Sequence, residues 1–199
     1  MKYLCVLDFE ATCCQHDEFP RNEMEIIEFP IVVVDLEKLA IVDSFHKYIK
    51  PNRHPKLTKF CTDLTGITQE MLEDKPDFTT VFFGSELGLF MAKYGEESVI
   101  ITCGDWDLRT MLPNQLKALA VSPNKIPSCF KRWLNVKELF QDFYKVKAGG
   151  MPNMLEKLKL ELKGRHHSGI DDCKNIASIC VKMTEDGYHF NTIRLQKVN

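Results

Sequence analysis

The first apolar run of the chain, LCVLDFEATC, carries two acidic residues separated by one apolar residue, Asp8-Phe9-Glu10. Residues i and i+2 of a strand share a face, so both carboxylates point the same way. Like charges on one sheet face repel, and burying them is costly unless they are paired or metal-bound. A chain with this tripeptide must either end an edge strand in solvent there or bring a counter-charge to the strand end. A cation is the simplest counter-charge. All-oxygen ligation at close quarters suits a hard ion such as Mg²⁺ or Mn²⁺, which points to metal-dependent phosphate chemistry.

The rest of the chain has to build a fold around that strand end. Lys2–Phe9 reads as one strand, Ile26–Asp35 as a second and Ala40–Ile49 as a third. Glu37 and Lys38 fall in the short turn between the last two, which makes them an antiparallel hairpin. Asn52–Pro55 breaks the pattern. Leu57–Leu64 is expected as a short helix ending near Gly66, and Thr68 caps a further turn beginning at Gln69. Apolar residues recur at helical spacing from Phe78 to Tyr94, with Asp77 or Thr79 available as the cap. Ser98–Cys103 is almost wholly apolar and therefore reads as a central strand. Helices are predicted over Trp106–Leu119, interrupted by Pro113, and over Val136–Tyr144. Two more follow, over Met151–Leu160 after Gly149-Gly150 and over Ile170–Asp186. Strands first, then helix, central strand and helices describe an α/β sandwich around a mixed sheet.

At 199 residues, 44% of them apolar, the chain suffices for one domain, 1–199, and no linker, repeat or low-complexity tract divides it. No stretch approaches the ~18 uninterrupted apolar residues of a membrane span, so no membrane partner is expected. The N-terminus passes from strand to acidic residues without a secretory pattern. The eight cysteines form no C-x-x-C pair, and several lie inside apolar runs, where a reduced thiol behaves as a small hydrophobe. A reducing compartment, cytosol or nucleus, is the expectation. Cys13, Cys14 and His16 have zinc-ligand chemistry, but adjacent cysteines chelate poorly and no fourth ligand is apparent. A formal net charge of −2 offers no global attraction to nucleic acid. Charge distribution matters more. Lys157, Lys159, Lys163, Arg165, His166 and His167 make one segment locally cationic, although Glu156 and Glu161 interleave. That segment suits phosphate positioning as well as a solvated helix face.

Three further groups carry chemistry. Gly104-Asp105-Trp106-Asp107 follows the apolar strand ending at Cys103, and either aspartate could cap the next helix or complete a site with Asp8 and Glu10. Ligands of open α/β sheets collect at such strand ends. Near the C-terminus stands His166-His167-Ser168-Gly169-Ile170-Asp171-Asp172. A helix beginning at Gly169 or Ile170 leaves His167 on a mobile approach and Asp172 in the first turn, facing Asp8. The alternative is a surface histidine and a dipole-favoured Asp pair. Glu25 and Glu28 suit either a ribose contact or a strand-face role.

DFEAT, an Asp after a Gly-containing turn, and a His with an Asp five positions later together resemble the DEDDh family of 3′-to-5′ exonucleases. EIIEFP, FCTDLTGIT, CGDWDL, MLEKL and GRHHSGIDDCKNIA are similar to its eukaryotic exoribonuclease subfamily, which includes the enhanced-RNAi proteins, Snipper and the histone-mRNA 3′-exonuclease. The resemblance runs from Tyr3 to about Gly187 and implies a ribonuclease H-like fold. It implies metal ligands Asp8, Glu10, Asp107 and Asp172, two Mg²⁺ or Mn²⁺ ions, and His167 as general base. Asp107 matches the family aspartate better than Asp105, and Asp172 better than Asp171. His166 occupies a place where the subfamily often has Pro. The implied partners are RNA 3′ ends, single-stranded or with short overhangs.

The chemistry of the residues agrees with those roles. Four carboxylates roughly cancel two divalent ions and leave a site that accepts a phosphodiester. His167, near neutrality if unperturbed, can take the proton of an attacking water. Selection of a free 3′ end would use backbone N–H groups around Ala11 and Thr12. Phe9 and Trp106 are stacking faces for terminal bases or else core packing. The competing readings are a proofreading-type deoxyribonuclease and a non-catalytic binding module on a nuclease fold.

Overall fold

The chain opens with β1 (Tyr3–Leu7), resumes after two residues as β2 (Glu10–Ala11), and crosses to the long β3 (Ile26–Asp35). A tight turn returns it as β4 (Ala40–Tyr48). The helices α1 (Lys59–Thr65), α2 (Gln69–Leu72), α3 (Phe78–Phe82) and α4 (Ser85–Ala92) precede β5 (Ser98–Thr102). A π-helical turn over Trp106–Met111 runs into α5 (Leu112–Ala118). β6 (Arg132–Asn135) leads directly into α6 (Val136–Tyr144), and α7 (Met151–Leu158), α8 (Gly169–Glu185) and a short β7 (Gln196–Lys197) follow. The computed structural model describes residues 1–15 and 18–197.

The strands form one mixed sheet. β3 pairs antiparallel with β1 and β2 along one edge and with β4 along the other, β5 and β6 add in parallel beyond β1, and β7 closes antiparallel on β6. Alternation along the strands splits the core into two layers. Cys5, Leu7, Phe29, Ile31, Ile100 and Trp133 face α3, α4, α5 and the π turn. Leu4, Val6, Val32, Val34, Ile101 and Leu134 face α6, α7 and α8. This is the expected α/β arrangement, a mixed sheet flanked by helices. Among the described residues no helix is long and apolar enough to cross a membrane. All eight cysteines are free.

The element boundaries differ from the sequence reading where single residues interrupt a pattern. Phe78–Tyr94 is two helices, because the chain turns at Gly84, where a Cβ would lie 2.4 Å from the Thr80 carbonyl oxygen. Asp77, rather than Thr79, is the cap, its carboxylate accepting from the Thr80 N–H. Pro113 does not break a helix but stands in the first turn of α5, where a missing N–H costs little. The turn ahead of it widens to π, and Asp107 lies in that turn. β6 is too short to announce itself by periodicity. Its signal is the Trp133-Leu134 pair, fully buried on opposite faces just before Asn135, which caps α6.

Phe29 is the hub of the first layer. Its ring meets Phe9 at 4.8 Å, Phe45 at 5.7 Å, Phe130 at 6.0 Å and Phe82 at 6.2 Å between centroids. Phe29→Ala is expected to cost about 3–5 kcal/mol. Urea denaturation measures it, as a lowered midpoint at unchanged slope.

Candidate active site

The register of β1 against β3 carries on to Glu10, with Leu7 opposite Ile31 and Glu10 opposite Glu28, and shifts at Ala11. Asp8 therefore stands opposite Pro30. Proline has no N–H to donate, so a rung of the ladder is missing and the strand is interrupted at the acidic motif. The Phe9 N–H turns away from β3 and donates to Asp107 Oδ1 at 2.8 Å. Asp8 and Glu10 continue the face of Leu4 and Val6, the side on which α8 packs. There Asp8, Glu10 and Asp172 each offer a carboxylate oxygen, all within 4.8 Å of one another. Asp107 is 3% exposed and Asp172 4% exposed. Asp172 Oδ1 is buried with no hydrogen-bond partner among the described residues.

These carboxylates hold protons unusually tightly. Burial, then the charges of Asp107, Glu10 and Asp172, push Asp8 well above the ordinary range. Burial, with Glu28 and Asp172 close by, raises Glu10 to about 9. Burial raises Asp107 to about 7 against the bond from Phe9 N–H, and Asp172 to about 6 against the bond from His167 N–H. Among the described residues no lysine or arginine pairs with any of the four; Asp172 meets only His166, at 3.9 Å. Convergent oxygens, an unpartnered buried Oδ1 and no competing cation suit a hard divalent ion. Bound there, it would reverse the preference for protons.

The approach to α8 is tied at both ends. Upstream, the Arg165 guanidinium donates to the Asp63 and Leu64 carbonyls at the end of α1. It lies over Gly66, where a Cβ would come within 2.9 Å of Arg165 Nε, so the FCTDLTG and GRHH stretches interlock. Downstream, Glu28 accepts from Gly169 N at 2.9 Å and Ile170 N at 3.1 Å. Between the two ties His167 adopts φ 65°, and its N–H donates to Asp172 Oδ2 at 2.9 Å. Its ring stacks on His166 with centroids 3.9 Å apart. Burial lowers the His167 pKa, aided by the His166 and Arg165 charges. His166, His167 and Asp172 offer ligand atoms within 4.8 Å of one another.

Other sequence expectations change. Phe9 is not a stacking face, because its 3%-exposed ring is turned into the core against Phe29. Trp106 is 42% exposed and keeps a free face. The Thr12 N–H is spent on the Glu25 carbonyl and its hydroxyl takes the Glu25 N–H, while Ala11 is buried with its carbonyl facing the Cys61 thiol. Glu25 is buried and accepts from Asn52, Arg53 and His54 N–H groups, which pins that loop. Asp105 is a turn residue paired with Arg109, and Asp171 braces Arg165 N and Lys174. His16 lies outside the described residues. Cys13, which the zinc reading also needs, is hydrogen-bonded to Cys61. A cavity of about 720 Å³ lies at the start of β5, the far end of the sheet from Asp8.

A family profile described as exonuclease matches residues 5–180. The chain is 41% identical over 194 residues to ERI1 exoribonuclease 3 of Homo sapiens, which covers 94% of this chain and 55% of that protein. It is 32% identical over 204 residues to the 3'-5' exonuclease Snipper of Drosophila melanogaster, covering 95% and 72% respectively. The nuclease domain of 3'hExo, a DEDDh family member bound to rAMP, is similar with a TM-score of 0.87 and 35% identity, over 100% of this chain and 98% of that one. The chain thus spans about half the length of ERI1 exoribonuclease 3 and most of Snipper. It belongs to the exonuclease family and, within that family, to the eukaryotic exoribonuclease branch.

Proposed function

We propose that this chain is a metal-dependent 3′-to-5′ exoribonuclease unit that removes nucleoside 5′-monophosphates from RNA 3′ ends. The observation that carries the reading is the meeting of carboxylate oxygens of Asp8, Glu10 and Asp172 within 4.8 Å, with Asp172 Oδ1 buried and unsatisfied among the described residues. Similarity to a nuclease domain bound to rAMP, and to a 3′-exonuclease in a structure of histone mRNA stem-loop 3′-end recognition, supports RNA as the substrate class.

Asp8, Glu10, Asp107 and Asp172 would hold two Mg²⁺ or Mn²⁺ ions, which supply Lewis-acid polarisation of the phosphoryl group and an acidified water. The remaining work belongs to the chain. His167, kept largely neutral by its lowered pKa, accepts the water proton at a ring nitrogen. The water oxygen bonds to phosphorus as the bond to the 3′-oxygen of the penultimate nucleotide breaks, and that oxygen takes a proton from solvent as it leaves. Trp106 offers its exposed face to a terminal base. Arg165 is turned to the α1 carbonyls, so phosphate positioning does not fall to it.

A 5′-labelled oligoribonucleotide is expected to shorten stepwise with Mg²⁺ or Mn²⁺ and to release 5′-monophosphates; a matched DNA strand, lacking 2′-hydroxyls, is expected to shorten more slowly. An unshortened RNA with folded protein and either metal sinks the reading, and equal RNA and DNA rates would favour the deoxyribonuclease alternative. Asp8→Asn should abolish turnover at unchanged circular dichroism. His167→Ala should lower kcat by roughly 10²–10⁴-fold.

Metal ligation needs the deprotonated carboxylates, so metal affinity should rise with pH, with protons released on binding. In chelator, folded protein binds more protons than unfolded chain once pH exceeds the ordinary carboxylate values, because Asp172, Asp107 and Glu10 sit near 6, 7 and 9. Stability is therefore fullest below about pH 4 in this contribution and is lost as pH climbs toward 9. Saturating Mg²⁺ should restore it. Thermal melts across pH, with and without metal, check the sign.

A further inference from the structure

The EIIEFP stretch contains a buried carboxylate to which the proposed chemistry gives no task. Glu28 is 1% exposed. A charge in that position is tolerated only if its oxygens are satisfied, and each of them is. Oε2 accepts from Gly169 N at 2.9 Å; Oε1 accepts from Ile170 N at 3.1 Å and lies 2.8 Å from His46 Nε2. We infer that Glu28 is a positioning residue: reaching from β3 to the first turn of α8, it sets where His167 and Asp172 stand relative to Asp8 and Glu10. This inference rests on the exonuclease reading above.

The first N–H groups of a helix have no partner within it. In α8 the N-cap residue Ser168 makes no side-chain cap bond, so the cap comes from another strand, 141 residues earlier in the chain. A carboxylate there also meets the positive end of the 17-residue helix. The strand position is decisive. Glu28 is the direct cross-strand partner of Glu10, so one rung of the sheet carries both a cluster carboxylate and the anchor of the helix that brings Asp172. Contact is close enough to exclude slack: a Cβ on Gly169 would lie 2.7 Å from the Asp8 carbonyl oxygen, 3.1 Å from Pro30 Cγ and 3.2 Å from Glu28 Oε2. The body of α8 is held separately, by Cys173, Ile176, Ile179 and Cys180 in the core. Loss of the anchor would therefore let the first turn shift while the helix stays docked. Glu28 is not an additional metal ligand, because its oxygens already face three donors.

The test uses the full chain with Glu28→Gln and Glu28→Asp. Gln keeps the length but sets an amide donor against a backbone donor; Asp keeps the charge but falls short of α8. Steady-state kinetics on an oligoribonucleotide at saturating Mn²⁺ are combined with hydrogen exchange at the Gly169 and Ile170 amides. Both variants are expected to lose roughly a hundredfold in kcat with KM within about twofold, and to exchange those amides faster while the core stays protected. A folded Glu28→Asp protein with wild-type kcat overturns the inference, whether or not Glu28→Gln is impaired, since charge rather than placement would then be the cause. Should neither variant fold, His46→Ala removes one of the two partners of Oε1 and leaves the Ile170 bond; a several-fold kcat loss with faster exchange at Ile170 supports the inference, and unchanged values overturn it. Wild-type protein that shortens no RNA defeats the exonuclease reading and this inference together. An active wild type with an active Glu28→Asp defeats the inference alone.

Discussion

Repulsion among carboxylates at the end of β1 is the constraint around which the rest of this structure is arranged. Two unit charges 4 Å apart interact by about 4 kcal/mol at an effective dielectric constant near 20. A few such pairs rival the 5–15 kcal/mol, roughly, that holds a domain folded. Asp8, Glu10 and Asp172 are nonetheless brought within 4.8 Å of one another, and Asp107 is held beside them by the Phe9 N–H. Burial raises all four pKa values, and neighbouring carboxylates add to the rise at Asp8, Glu10 and Asp172. Protons can relieve the repulsion, and divalent cations can relieve it better.

Keeping such a cluster assembled requires bracing from outside it, and the structure supplies that at the α8 approach. Phe9 N–H fixes Asp107, Arg165 fixes the upstream side of the histidine turn, and Glu28 fixes the downstream side. Each brace joins segments far apart in sequence. EIIEFP reaches the HHSGI segment, and FCTDLTG reaches GRHH. The stretches that accompany the acidic residues thus have physical reasons of their own. Pro30 opens the ladder at Asp8, Gly66 leaves room for Arg165, and Gly169 lets the helix touch the strand.

Much of this was legible in the sequence wherever one local pattern sufficed. A nearly continuous apolar run marked β3, and the two-residue spacing of Asp8 and Glu10 put them on one face. Gly66 and Thr68 marked their helix boundaries. Locally the choice between Asp105 and Asp107 was undecidable, since both follow the same glycine; the π turn and the bond from Phe9 separate them, and neither has a sequence signature. Phe9 looked available for stacking because alternation says which face a residue takes but not whether that face is covered. Glu25 and Glu28 were ambiguous for a related reason. Their partners lie 27 and 141 residues away, at Asn52 and Gly169, and no periodicity reports such distances. β6 escaped because four residues are too few to display a period.

His167 shows how bracing and chemistry share one residue. Its left-handed backbone, φ 65°, is unusual for a side chain with a Cβ and costs on the order of 1–3 kcal/mol. The bond from its N–H to the Asp172 carboxylate, of the charge-assisted kind worth about 1.5–3 kcal/mol, offsets that. Asp172 therefore divides its two oxygens. Oδ2 holds the turn that carries the imidazole, and Oδ1 is left buried without a partner among the described residues. A histidine on an untethered loop would sample many positions, and the entropy of collecting it would fall on each turnover. Here the same carboxylate that faces the cluster also fixes the backbone of His167, so the acidic group and the histidine are set by one geometry rather than two.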